Sequence, residues 1–273
     1  MNRYTRRTFA LEVVMVGVAV IFVVPLFVLV NLSLRPQYQL VDPLTVHLPL
    51  TLDNYRTAWH EAALGKAIFD SAVIAVVSVV IVVVISSMAA YPLARSTSHW
   101  SRWTFALFML GLLLPFQLAL LPLYTTMRDL HLIGSLWGLV VFYSGLQMPF
   151  SVFLYTAFLR VLPRDYEEAA VLDGCSPFQT FWRIVFPLVR PVTGTVVILN
   201  AIFIWNDFLT PLLYLSGSKY QTIPVAIYTF VGQYTSNWQL VFAGLVMGVA
   251  PILLIYFAMQ RHIIRGFTGG LKG

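Results

Sequence analysis

Six stretches of the chain run for about twenty residues or more with almost no charge. Short polar segments holding most of the ionisable residues separate them. They extend from about Val13 to Asn31, Ala72 to Ala94, Trp103 to Met127, Ser135 to Leu159, Pro191 to Leu215 (interrupted by Asp207) and Leu240 to Gln260. A helix needs roughly 20 mainly apolar residues to cross a hydrocarbon layer about 30 Å thick. The pattern therefore predicts an all-α integral membrane protein with six transmembrane helices. It forms a single transmembrane domain over residues 1–273. The first stretch, preceded by Arg3, Arg6 and Arg7, could be mistaken for a signal peptide. Its apolar run is too long, and Asn31-Leu32-Ser33-Leu34-Arg35 follows where a small-residue cleavage site would stand. It reads as an uncleaved span.

Composition sharpens the class. Of 273 residues, 59% are hydrophobic and 10% charged, against roughly 25% charged in an ordinary soluble domain. That much apolar surface cannot be hidden inside one soluble domain. The single cysteine, Cys175, excludes an internal disulfide and any cysteine-based zinc site. The net charge of +6 suggests nucleic acid until its distribution is considered. With the N-terminus inside, 12 of the 17 basic residues fall on the cytoplasmic side: Arg3, Arg6, Arg7, Arg95, Arg102, Arg160, Arg164, Arg183, Arg190, Arg261, Arg265 and Lys272. Arg35, Arg56, Lys66, Arg128 and Lys219 remain outside. This bias is the positive-inside signal; it places both termini in the cytoplasm and needs no nucleic acid. Trp100 and Trp103 at an inner boundary, with Trp137 and Trp238 at outer ones, fit an aromatic belt.

The inner loop of residues 160–190 is too long and polar for a simple connector. Asp165 and Glu168 are spaced as a capping box, with acidic residues in the first turn of a short helix. Gly174 falls where a helix ends in a left-handed residue. Ser176, Pro177 and Gln179 read as a second N-cap, first helical position and capping box. Local chemistry thus predicts a helix–glycine–helix elbow between spans four and five, a rigid protrusion suited to docking.

Glu168-Ala169-Ala170, three residues, Gly174, nine residues and Ile184-Val185-Phe186-Pro187 resembles the EAA motif of permease subunits of binding-protein-dependent ABC importers, with Phe186 where the family usually has leucine. Leu52-Asp53-Asn54-Tyr55, Ala89-Ala90-Tyr91-Pro92-Leu93-Ala94-Arg95, Leu136-Trp137-Gly138-Leu139 and Trp205-Asn206-Asp207-Phe208-Leu209 are similar to carbohydrate-uptake permeases of the maltose-transporter type, in particular the shorter six-span partner. The resemblance covers nearly the whole chain. It implies a coupling elbow seated on a cytoplasmic ATPase subunit, with Glu167, Glu168, Ala169, Ala170, Asp173, Gly174, Ser176 and Pro177 forming the contact. It implies a homologous permease, two nucleotide-binding ATPase subunits and an extracytoplasmic solute-binding protein as partners, in a bacterial cytoplasmic membrane. ATP and Mg would sit on the ATPase subunits, and this chain would bind no cofactor. The substrates of the family are sugars and related solutes, moved by alternating access.

Asp207 is the one charged residue deep in a span, about 24 Å along from Pro191 at 1.5 Å per residue. Such a carboxylate costs about 2.5–3.5 kcal/mol to insert and tends to face a cavity or a partner. It could line a translocation path with Asn206, stabilise a broken helix, or be an interfacial group paired within the protein. Asp70 reads as interfacial. Pro115, Pro149 and Pro211 should kink spans three, four and five. Gln117 and Gln147, near two of these kinks, are path candidates or polar glue between helices. Gly244 and Gly248 form a small-residue pair suited to helix packing.

No phosphate-binding G-x-x-x-x-G-K-[ST] loop occurs, since Gly65-Lys66 lacks the upstream glycine and precedes Ala67. The histidines His47, His60, His99, His131 and His262 show no metal-ligand spacing. An ion-coupled secondary transporter is the alternative, but it would more often carry several buried ionisable groups and a repeated half. A membrane-embedded enzyme would need a catalytic constellation, and none is visible.

Overall fold

The computed structural model describes residues 6–37, 42–46, 48–232 and 237–269, with side chains from 8 to 254. Of the charges that set the expected orientation, Arg3, Arg6, Arg7, Arg261, Arg265 and Lys272 lie outside the described side chains, as do His47 and His262. In chain order the elements are α1 (Arg6–Ser33), α2 (Asp53–Glu61), α3 (Leu64–Arg95), α4 (His99–Leu113), α5 (Phe116–Asp129), α6 (Leu136–Val161), α7 (Asp165–Leu172) and α8 (Pro177–Thr180). A π-helical turn, Phe181–Val185, joins α8 to α9 (Phe186–Leu188); α10 (Arg190–Asn206), α11 (Leu209–Tyr214), α12 (Ile223–Tyr228) and α13 (Trp238–Gly269) complete the chain.

Among the described residues, three helices are long and apolar enough to cross a membrane: Thr8–Ser33 within α1, then α3 and α6. Two bent pairs raise the number to five if each counts as one span. The stretch expected as the sixth coincides with α13, whose described apolar part, Trp238–Leu254, is shorter. The expected third span is not one rod. It breaks at Pro115, and α4 and α5 meet at 101°. Leu114 is extended (φ −78°, ψ 120°), the conformation that steric clash with a following proline imposes. The expected fifth span stops at Asn206, because Asp207 is extended (ψ 126°), and resumes at Leu209. Pro211 therefore lies in the first turn of α11, where a missing N–H costs nothing. Pro149 behaves differently, and α6 runs through it unbroken. Pro92 likewise lies inside the continuous α3.

The chain forms two compact units. The first comprises Met1–Lys66 and Ile223–Leu253. In it α1 is exposed along almost its whole length, then becomes buried at its C-terminal end. There Asn31 Nδ2 donates to the carbonyls of Pro43 and Thr45 at 2.8 and 2.9 Å. The fully buried Arg35 guanidinium donates to the carbonyls of Asp42 and Thr45. Asn54 Nδ2 donates to the carbonyls of Ser33 and Arg35, and the Tyr55 hydroxyl pairs with Ser33. The Leu52-Asp53-Asn54-Tyr55 motif thus ties α2 to the exit of α1. In the same unit α12 lies against the small-residue face of α13. A Cβ on Gly248 would stand 2.6 Å from Ile223 Cγ2, and one on Gly244 3.0 Å from Ile227 Cγ1. Isoleucine is stiff at χ1 and cannot swing aside cheaply. Gly248→Val is expected to cost about 1–3 kcal/mol by overpacking, seen as a lower melting midpoint in detergent and largely restored by Ile223→Ala. An unchanged midpoint would show that the helices separate here without cost.

The second unit comprises Ala67–Thr222 and Leu254–Gly273. Helix α6 is its centre, packed against α4, α10 and α11. Its core includes Val82, Leu139, Tyr143, Tyr155, Leu159, Val185 and Val196. Polar side chains join α6 to α10: Asn200 Nδ2 donates to Ser151 Oγ at 3.2 Å, and the Tyr155 hydroxyl to Thr193 Oγ1 at 3.0 Å. Such bonds hold apolar-faced helices together where no hydrophobic force separates helix from lipid. Asp70, expected at the outer edge of the second span, is buried within the protein at 2% exposure and accepts from the backbone N–H of Gln221.

Candidate functional site

The long loop after α6 folds as a bent pair of short helices. Leu162 is extended ahead of Pro163 (φ −71°, ψ 128°) and ends α6. The Arg164 carbonyl then accepts from the N–H groups of Glu167 and Glu168 at 2.8 and 3.0 Å, so Arg164 is the N-cap of α7. The expected capping box of Asp165 with Glu168 therefore does not form. The helix starts one residue earlier than the box requires, and Asp165 occupies its first turn beside Glu167 and Glu168. Three carboxylates at the positive end of the helix dipole still favour it.

Gly174 ends α7. It adopts φ +78°, while Cys175 N–H donates to the Ala170 carbonyl at 2.9 Å and Gly174 N–H to the Val171 carbonyl at 3.0 Å. This pair of bonds is the Schellman terminus, which favours glycine because a Cβ strains a left-handed residue. Ser176 and Gln179 then exchange both bonds of a capping box, at 3.3 and 2.9 Å, with Pro177 in the first turn. The second arm is knitted by aromatic rings: Phe178, Phe181 and Phe186 each contact Trp182, with centroids 5.0–6.2 Å apart. The π-helical turn falls inside this cluster. The arm Pro177–Leu188 then meets α10 at 75°.

Of the sequence-expected contact residues, Glu168, Ala169, Asp173, Gly174, Ser176 and Pro177 are exposed. Ala170 is buried at 2%, its small side chain letting α7 sit close to its neighbours. Glu167 turns inward. Its Oε1 accepts from Arg95 Nε at 2.8 Å and from a terminal guanidinium nitrogen at 2.6 Å, and its Oε2 accepts from the Tyr91 hydroxyl at 2.9 Å. A groove of about 540 Å³ opens beside this cluster, lined by Arg95, Arg164, Glu168, Leu172, Pro177 and Thr180 among others. Val171, Leu172 and Phe178 stand 65–88% exposed on the same elbow.

These exposed apolar residues were not among the expected contacts. The available signal was that Val171, Leu172 and Phe178 are large apolar side chains within residues 165–179, a segment otherwise made mainly of polar and small residues. Tyr91 and Arg95 were likewise legible only as a motif and an inner charge, since nothing in the sequence pairs positions more than 70 residues apart.

The four path candidates differ in exposure and in partners. Gln117 is exposed in the first turn of α5, and Gln147 is half-buried on α6. Asn206 is exposed at the end of α10, its Nδ2 donating to the Ile202 carbonyl at 2.8 Å. Asp207 is paired within the chain. Its Oδ2 accepts from the Tyr143 hydroxyl at 3.0 Å, and its Oδ1 accepts from the Thr210 N–H at 3.3 Å, capping α11. No hydrogen bond joins the two glutamines to Asn206 or Asp207. Among the described residues no cluster of three or more His, Cys, Asp or Glu could hold a metal ion.

Comparison with known proteins places this architecture. Residues 82–269 match the family described as binding-protein-dependent transport system inner membrane component. The chain is 33% identical over 253 residues to the probable starch degradation products transport system permease protein AmyC of Thermoanaerobacterium thermosulfurigenes, covering 92% of each. It is 31% identical over 252 residues to the melibiose/raffinose/stachyose import permease protein MelC of Bacillus subtilis, covering 92% and 91%. Its fold is similar to a chain in the crystal structure of a bacterial ABC transporter involved in the import of the acidic polysaccharide alginate, with a TM-score of 0.80 at 19% identity over 96% and 99% of the two chains. All-helical among its described residues, apolar enough to span a bilayer, and matched to permeases along most of its length, the chain belongs to the inner-membrane permease components of binding-protein-dependent ABC importers.

Proposed function

We propose that this chain is the six-span permease subunit of a sugar importer. In this reading both termini are cytoplasmic, residues 1–273 form one transmembrane domain, and the elbow at 160–190 is its coupling helix. The observation that carries the substrate class is that relatives at 31–33% identity, nearly co-extensive with this chain, are named for starch degradation products and for melibiose, raffinose and stachyose. The partners are a homologous permease, two ATPase subunits that hold ATP and Mg, and an extracytoplasmic solute-binding protein. No phosphate-binding loop occurs in this sequence, so hydrolysis falls to the ATPase subunits.

The chemistry of the elbow supports the coupling role. Val171, Leu172 and Phe178 are large apolar groups exposed next to carboxylates, on a segment whose central bend is locked by a Schellman turn and a capping box. A rigid protrusion of this kind transmits a push instead of absorbing it, and its apolar tip gains by being covered. When the ATPase subunits close, the elbow is displaced, the spans rock, and solute delivered by the binding protein enters a central path. Asn206, with an exposed amide at the break between α10 and α11, together with Asp207, Gln117 and Gln147, are the path residues of this reading. Asp207 additionally holds the break in shape.

The test is ATP hydrolysis and solute uptake by the co-expressed complex in proteoliposomes, with its binding protein and a panel of maltose, melibiose and raffinose. Stimulation of hydrolysis by one sugar, with that sugar accumulating inside, is the expected result. Flux that follows an ion gradient, with no assembly onto an ATPase subunit, would overturn the reading.

A further inference from the structure

Glu167 is a contact candidate whose carboxylate is fully engaged inside its own chain, and its partners sit on the last turn of a long helix. We propose that Tyr91, Arg95 and Glu167 form a clamp that makes the end of α3 move with the elbow, so that Glu167 is a positioning residue and not a docking one. This inference rests on the coupling role given to the elbow above.

The geometry is that of a joint. Arg95 and Glu167 side chains are 14% and 13% exposed, and two guanidinium nitrogens reach one carboxylate oxygen at 2.6 and 2.8 Å. Charge-assisted bonds with more than one donor fix direction as well as distance. A third Arg95 nitrogen donates to the Leu159 carbonyl at 2.8 Å, on the last turns of α6. Arg164 closes the ring by donating to the Arg95 carbonyl at 3.0 Å. One guanidinium thus binds α3, α6 and α7 together. Tyr91 grips both arms of the elbow, since its hydroxyl donates to Glu167 on α7 and its ring lies 5.7 Å from that of Phe181 in the π-helical turn. Phe181 itself is 5% exposed, so this is a packed contact. A largely buried ion pair adds little net stability but is costly to break by removing one partner, and in this proposal it holds α3, α6 and α7 in one arrangement. That is the property a transmitting joint needs.

The test uses the purified complex with its ATPase subunits. Backbone hydrogen exchange is followed at 88–95 and 165–172, with and without trapping by ATP and vanadate. In the wild type both segments are expected to change protection together on trapping. In Glu167→Gln and Arg95→Met the elbow should still respond, while the response at 88–95 falls at least about threefold. Arg95→Glu with Glu167→Arg should restore part of it. In proteoliposomes, uptake of maltose, melibiose or raffinose per ATP hydrolysed should fall about tenfold in the single variants. A purely structural role would lower assembly without changing that ratio in the complexes that form. If those variants fail to assemble, Tyr91→Phe removes one donor and keeps the ring; a smaller response at 88–95 supports the clamp.

A full response at 88–95 in Glu167→Gln, or in Tyr91→Phe where that variant stands in, would overturn the clamp while the wild-type complex still transports. A wild-type elbow that does not respond to ATP and vanadate would overturn the coupling reading instead, and the clamp with it.

Discussion

Gly174→Asp is expected to leave the protein inserted in the membrane at normal abundance and to reduce uptake by about two orders of magnitude. The two halves of this expectation have separate causes. Within the chain the change is mild. Gly174 has φ +78°, and no atom lies within 4 Å of where a Cβ would stand. The cost is therefore the strain of a left-handed residue, about 1–2 kcal/mol for most side chains and less for Asp or Asn, which bond locally in that region. At a docked surface the change is severe, because a carboxylate added beside Glu168 and Asp173 must be desolvated or face like charge. Mismatched charge across an interface costs several kcal/mol, and each 1.4 kcal/mol is a factor of ten. Gly174→Asn separates the two effects, sharing the backbone tolerance without the charge, and should lose only about threefold. Uptake per inserted molecule is the measurement. Normal uptake by the aspartate variant would remove the elbow from the coupling path.

Gly138→Val should fail at folding. A Cβ at 138 would overlap the Leu132 carbonyl oxygen and approach the Leu132 Cβ to 3.2 Å. The obstacle is backbone that cannot move alone. Leu132 N–H donates to the Met127 carbonyl and His131 adopts φ +57°, so the turn is bonded to the end of α5. Two residues on, Gly134 N–H donates to the Tyr214 carbonyl at 2.7 Å, anchoring the same turn to α11. Relieving the overlap would loosen both ends. Overpacking in a well-packed site costs about 1–3 kcal/mol where side chains can yield, and more is expected against backbone. The yield of monodisperse protein from detergent and its melting midpoint should both fall sharply, and Gly138→Ala should show the same direction. A variant that melts with the wild type would mean that the turn is free to shift.

These two glycines show how differently the sequence discloses its reasons. Gly174 could be assigned from its neighbours alone, because a helix terminus is decided within a few residues by backbone bonds. Gly138 sat in a motif resembling known permeases, yet its cause, a carbonyl arriving from the preceding turn, is a tertiary fact. The box of Ser176 with Gln179 was likewise readable, whereas that of Asp165 with Glu168 was not. Both spacings were correct, but Pro163 and the Arg164 backbone moved the first helix start by one residue. Proline spacing gave the break at Pro115, whereas α6 continues without a break through Pro149.

The sequence by itself determined that this is a helical membrane protein, where its apolar stretches lie, and that one loop carries a glycine elbow of the permease type. Hydropathy, charge bias and capping act over distances of one span or less, and the chain order records them directly. Only the tertiary structure decided that Asp207 accepts from Tyr143, that Asp70 is buried, and that Glu167 faces Arg95 and Tyr91. Each of these carboxylates is short of solvent and must find a donor. Which side chain or backbone group reaches it depends on segments 64 or more residues away meeting in space.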